Sequence, residues 1–192
     1  NLNVDPTKIL FGNTVKKSDE IKKAFKCGVN LFAFDCEEEL LKIAKYAPRA
    51  DVYCRLQVSN GGAEWPLSKK FGCSSKELEF LLIKAKNLFL NPLGLSFHVG
   101  SQQLSKKTWA RAIYTSSRIY KKFNKKYFKL NFLNIGGGIP VDYSNNKINL
   151  KDYSQNIIND IKKNYGEDLP KNIIAEPGRF FVASAGILES EI

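Results

Sequence analysis

The chain has 192 residues, 43% of them hydrophobic and 26% charged, which is ordinary for a globular protein with one sizeable core. No run approaches the roughly 18 apolar residues of a membrane span and no signal peptide is visible at Asn1, so a cytoplasmic protein without a membrane partner is expected. The net charge of +11 sits mostly on lysines at helical spacing with no aromatic-rich stretch beside them, so we expect a solvated basic face and no nucleic-acid partner.

In chain order, strand and helix signals alternate. Lys8 to Phe11 is a short apolar run ending at Gly12-Asn13, and Ser18 then caps a helix that Gly28 stops. Leu31 to Phe34 is the second strand. Asp35 reads as the N-cap of the next helix, whose acidic first turn suits the helix dipole. Asp51 to Leu56 is the third strand. A loop from Gln57 to Cys73 follows, longer than most connections in a compact domain and for that reason a candidate functional segment.

Ser74-Ser75-Lys76-Glu77 is a capping box opening another helix. Gly94 to Val99 is the fourth strand, ending at Gly100-Ser101. The helix after it carries Trp109, Ala112, Ile113, Ile119, Tyr120 and Phe123 on one stripe. Leu130 to Leu133 is the fifth strand, and a helix from about Tyr153 ends at Gly166. Ile173 to Ala175 is the sixth. The tail from Phe181 to Ile192 is apolar, without helical period, and reads as β-like. Cys27, Cys36, Cys54 and Cys73 form no C-x-x-C pair, so no metal site is expected and the thiols read as reduced.

Alternating strands and helices imply right-handed βαβ units around a parallel sheet. Polar residues and glycines gather just past the strand ends, at Asn13, Asp35, His98, Ser101, Gly136 to Gly138, Glu176 and Arg179. That carboxyl edge is where α/β barrels and open α/β sheets place their sites. About six strands are visible, whereas a (β/α)8 barrel needs eight in roughly 250 residues. A chain without a single Met is expected to be an internal piece of a longer one, and an incomplete TIM-type barrel fits that expectation better than an open sheet.

The central motif is Asn134-Ile135-Gly136-Gly137-Gly138-Ile139-Pro140. Three glycines at a strand end expose backbone N–H groups that can close on an oxyanion, most often a phosphate. A tight turn that merely needs glycine is the alternative reading. The later loop Glu176-Pro177-Gly178-Arg179 favours the oxyanion by adding a cation and another glycine.

Phe97-His98-Val99-Gly100-Ser101-Gln102, the glycine triplet and Ala175-Glu176-Pro177-Gly178-Arg179, in this order, resemble the pyridoxal-phosphate barrel of the ornithine/diaminopimelate/arginine decarboxylase family. The stretches Phe11 to Lys16 and Trp65 to Cys73 look like bacterial ornithine decarboxylases. The resemblance implies a barrel of the alanine racemase-like kind over residues 1–180, with a C-terminal β-domain beginning at 181–192. It implies that Gly136, Gly137 and Gly138 offer N–H groups to the cofactor phosphate, with Ser101, Gly178 and Arg179 completing the cradle. His98 would stack on the cofactor ring. Glu176 would keep the pyridine nitrogen protonated, because a cationic ring accepts the electrons left by departing CO2 far better than a neutral one.

The expected activity is decarboxylation of L-ornithine, or L-lysine, to a diamine in polyamine biosynthesis, by a homodimer with shared active sites. Three alternatives are diaminopimelate or arginine as substrate, racemisation, and a non-catalytic relative acting by protein binding. The family's Schiff-base lysine lies in a Tyr-Ala-x-Lys type motif that these residues lack; Lys16 and Lys70 do not match it. The piece alone is therefore expected to be inactive. Asn134 and Phe180 stand where many relatives carry aspartate and tyrosine.

Overall fold

The computed structural model describes residues 3–65, 70–141, 148–187 and 189–190. Part of the Trp65 to Cys73 stretch, and Leu188, Glu191 and Ile192 of the tail, lie outside these.

The strands among the described residues are β1 (Leu10–Phe11), β2 (Leu31–Phe34), β3 (Asp51–Arg55), β4 (Ala63–Trp65), β5 (Asn91–Ser96), β6 (Ser101–Gln103), β7 (Phe132–Asn134) and β8 (Asn172–Ile174). Six of them form one sheet whose spatial order follows the chain, β1-β2-β3-β5-β7-β8, and every neighbouring pair is parallel. A doubly wound sheet would reverse direction at a switch point. A monotonic order instead curls one way, as a barrel does, so the sheet is an incomplete (β/α)8 barrel.

Helices α1 (Ser18–Lys26), α2 (Glu37–Tyr46), α3 (Ser75–Asn87), α4 (Lys106–Lys126) and α5 (Leu150–Tyr165) fill the crossovers. Strand alternation sends Phe32, Phe34, Val52, Cys54, Leu95 and Leu133 outward into the core shared with the helices. The intervening residues Ala33, Tyr53 and Phe132 point to the concave side and pack with Leu10, Leu31, Leu93 and Ile174. Arg55, Ser96 and Asn134 lie in register at the carboxyl ends of β3, β5 and β7. The period of two thus builds an apolar inner face with a polar top.

Local chemistry explains most helix ends. Ser74 Oγ accepts from Glu77 N–H, and Glu77 returns the bond to Ser74 N–H at 2.9 Å, the expected capping box. Gly166 stops α5 with φ of 58°, a left-handed value that favours glycine.

Several readings need correction. The α1 N-cap is Lys17, whose N–H is taken by Glu20, and Ser18 is the first helical residue. The α2 N-cap is Cys36; Asp35 instead accepts from Gly72 N–H at 2.8 Å and pins the end of the long loop. That loop is not structureless, since β4 pairs antiparallel with β6. The fourth strand of the main sheet runs Asn91–Ser96, leaving His98 beyond its end. Phe181 and Val182 close a short helix, α6 (Gly178–Val182), where a β-like segment was expected.

Among the described residues no helix is long and apolar enough to cross a membrane. Nor does any group of His, Cys, Asp and Glu among them have the makings of a metal site. Cys54 and Cys73 are both buried and free, with sulfurs 3.6 Å apart.

Candidate active site

The carboxyl ends of β3, β5, β7 and β8 meet in a pocket lined by Gly12, Tyr53, Arg55, Ser96, His98, Asn134, Gly136 and Glu176. Close approach of three chain segments explains the glycines. A Cβ at Gly136 would strike the Phe97 carbonyl oxygen, and one at Gly138 the Gly100 carbonyl oxygen. At Gly137 it would lie 2.6 Å from the Glu176 carbonyl oxygen and 3.0 Å from His98 Nε2. Gly136 and Gly138 also have φ of 71° and 105°, where a side chain is strained. The triplet is therefore a tight turn and a bare-backbone surface at once, and the two readings do not compete.

The backbone donors divide unevenly. Gly136 N–H is engaged, donating to Asn134 Oδ1 at 2.9 Å. Gly137 and Gly138 N–H groups meet no acceptor among the described residues, so these two are the ones left to donate to an oxyanion. Ser101, half-buried at the start of β6, follows the Gly100 carbonyl against which Gly138 packs.

His98 is fixed as a neutral ring. Its Nδ1 accepts from Gly100 N–H at 3.0 Å, which leaves the proton on Nε2. Burial, followed by the nearby Arg55 guanidinium, pushes it down to about 4. A neutral imidazole can lie against a cationic ring without repulsion. The Asn60 side chain holds the His98 carbonyl at 3.0 Å and steadies the segment.

Glu176 reaches the pocket from the end of β8. Its N–H donates to the Gly136 carbonyl and its Oε1 accepts from Asn134 Nδ2 at 3.0 Å. The Tyr53 hydroxyl is buried beside the Asn134 side chain and completes no hydrogen bond of good geometry among the described residues. Burial, then the charge of Glu176, holds it well above its ordinary value, so it stays protonated.

Arg55 was missed by sequence reading. It is half-buried, lies over the Phe71 ring at 5.0 Å, and feels burial that lowers its proton affinity. The available signal was register: in Asp51-Val52-Tyr53-Cys54-Arg55 alternation puts Arg55 on the inner side at the strand's carboxyl end.

The structure thus brings His98, Gly136, Gly137, Gly138 and Glu176 together, with Ser101 beside Gly138. Gly178 and Arg179 follow Glu176 as the exposed first residues of α6. Among the described residues the Arg179 side chain makes no ion pair. Two unused N–H groups, a neutral imidazole face, a carboxylate and an unsatisfied hydroxyl fit a phosphorylated aromatic cation such as pyridoxal phosphate.

Comparisons with known proteins agree. Residues 1–183 match the model of the pyridoxal-dependent decarboxylase family's pyridoxal binding domain. Ornithine decarboxylase of Mus pahari is 35% identical over 191 residues, covering 100% of this chain and 41% of that protein. Antizyme inhibitor 2 of Xenopus laevis is 35% identical over 182 residues, 95% of this chain and 40% of its own length. The arginine decarboxylase of Paramecium bursaria Chlorella virus, solved with agmatine bound, superposes with a TM-score of 0.84 at 34% identity. That match covers 94% of this chain and 48% of the viral one. The chain therefore spans less than half the length of these relatives, and it belongs to the pyridoxal-dependent decarboxylase family as a part of its pyridoxal-binding barrel.

Proposed function

We propose that the full-length protein decarboxylates a basic amino acid, L-ornithine first and L-lysine second, to a diamine used in polyamine synthesis. Similarity to decarboxylases named for ornithine, arginine and lysine supports the class of substrate. The observation that carries the reading is the meeting of Glu176, neutral His98 and the unused Gly137 and Gly138 N–H groups at one strand edge.

Pyridoxal phosphate, when bound, supplies the electron sink that makes loss of CO2 feasible. The chain's own residues hold and bias it. Gly137 and Gly138 donate to the phosphate, with Ser101 beside Gly138, Gly178 completing the cradle and Arg179 as countercharge from the first turn of α6. Glu176 keeps a proton on the ring nitrogen. The His98 imidazole covers one ring face and excludes water from it. Arg55 adds a positive field on the His98 side. This piece alone is inactive, because the lysine that carries the cofactor in the family motif is not among its residues. The working unit is a homodimer.

A second reading, a protein-binding relative on the same barrel, rests on the 35% identity to a relative named an inhibitor. The deciding assay offers ornithine, lysine, arginine and diaminopimelate to the full-length protein loaded with pyridoxal phosphate, and measures CO2 release. Ornithine turning over fastest supports the proposal. No release from any of the four, with the cofactor bound, would leave the binding protein.

A further inference from the structure

The mouth of the glycine turn contains a hydrogen-bonded clip whose centre is Asn134. Its side-chain oxygen accepts from Gly136 N–H at 2.9 Å, and its side-chain nitrogen donates to Glu176 Oε1 at 3.0 Å. Glu176 N–H then donates back to the Gly136 carbonyl at 2.9 Å, so the ends of β7 and β8 are joined through both main chain and side chain. The amide's orientation follows from its neighbours. The edge facing a backbone N–H must be oxygen, so the edge facing the carboxylate must be NH2. Asn134 is only 2% exposed and its bond from Gly136 is buried, so little water competes there, whereas its bond to the exposed Glu176 is half-buried.

We propose that Asn134 is a positioning residue, whose amide ties the carboxylate of Glu176 to the glycine turn and so sets ring-nitrogen anchor and phosphate cradle in one fixed relation. An amide can do this because it accepts on one side and donates on the other. The aspartate that many relatives carry here accepts on both sides when ionised, so it must either share a proton with Glu176 or face it charge to charge. The inference rests on the reading of Glu176 as the ring-nitrogen partner.

The test uses the full-length protein freed of cofactor and titrated with pyridoxal phosphate between pH 6 and pH 9, each variant read as its affinity relative to the unaltered protein. The other titratable groups facing the clip are Tyr53 and Arg55 from β3 and His98 beyond β5. Tyr53 stays protonated, Arg55 charged and His98 neutral through this range, so none of them imitates the expected step. Asn134→Asp is isosteric and keeps the bond from Gly136. Two carboxylates this close cannot both ionise freely, so at low pH the pair shares a proton and imitates the amide. As pH rises both ionise and push apart. The affinity ratio should fall about tenfold across the range, the effect of roughly one unit of pKa displacement. In Asn134→Asp/Glu176→Gln the polarity of the clip is reversed, with the introduced amide donating to the introduced carboxylate, and the pH step should vanish.

An Asn134→Asp ratio that is flat with pH, or a step that persists in the double variant, would overturn the proposal. If Asn134→Asp does not fold, the double variant must, since its repulsion is gone; failure of both counts against the clip. Glu176→Gln alone separates the two claims. The signal of ring-15N-labelled cofactor should move toward the unprotonated position. An unmoved signal removes the role of Glu176, whatever Asn134 does.

Discussion

Lys16 offers the sharpest test of how the β1 edge of the site is held. Its side chain is 0% exposed, and its ammonium donates to the carbonyls of Ala33 at 2.6 Å and Asn13 at 2.9 Å. It also pairs with Glu39 Oε1 at 2.9 Å, while Lys42 holds the other oxygen at 2.6 Å. Burial is the main influence on Lys16 and lowers its proton affinity, with Glu39 opposing it. This cluster anchors the Gly12-Asn13 turn, and a Cβ on Gly12 would sit 2.9 Å from Glu176 Oε1.

Lys16→Met keeps the stem and removes the charge. Taking one partner from a buried ion pair costs about 3–5 kcal/mol, because the other charge stays buried. Lys42 still satisfies half of Glu39, so we expect the low end, about 3 kcal/mol. Replacing both partners by apolar groups is often near neutral, so Lys16→Met/Glu39→Met should lose only about 1 kcal/mol. Denaturant unfolding of the full-length protein, followed by circular dichroism, gives both values from the midpoints at unchanged slope. A double variant as unstable as the single one would refute the buried-charge argument and leave packing as the cause.

Other consequences follow from the same contacts. His98 is pushed down to about 4 in the fold and titrates near 6.5 when unfolded. Between those values the unfolded chain binds more protons, so the contribution is complete above pH 6.5 and is lost as pH falls toward 4. Allowing for partial exposure we expect about 2 kcal/mol, and His98→Asn should flatten that part of the stability–pH curve. Gly137→Ala should displace Glu176 and weaken cofactor binding by at least about tenfold in a fluorescence titration. Gly186→Ala, with no atom of the described residues within 4 Å of the added methyl, should change nothing. Tyr153 accepts from Trp109 Nε1 and donates to the Gln103 carbonyl, both at 2.6 Å. Tyr153→Phe orphans two buried groups and should cost about 2–3 kcal/mol in the same unfolding experiment.

What could be read from residues alone was whatever local periodicity encodes. The strand–helix alternation, the Ser74 capping box and the Gly166 stop all follow from side chains a few positions apart, and all appear in the fold. Contacts between distant segments were not legible. Asp35 looks like a helix cap in sequence but is claimed by Gly72, 37 residues away. The β4–β6 pair involves three-residue strands too short to show a period. Arg55 sits one alternation step from an apolar inner face, and only the register across β3, β5 and β7 shows which end of the barrel it serves. The glycine triplet was legible as special, whereas the capture of Gly136 N–H by Asn134 required the folded turn.

In the proposed function one strand edge grips both ends of the same cofactor, its phosphate at Gly137 and Gly138 and its ring nitrogen at Glu176. A crystal structure of the full-length protein with pyridoxal phosphate tests it most directly. We predict phosphate oxygens within hydrogen-bonding distance of the Gly137 and Gly138 N–H groups and the ring nitrogen against the Glu176 carboxylate. A phosphate bound elsewhere, with those two N–H groups facing only water, would contradict the account.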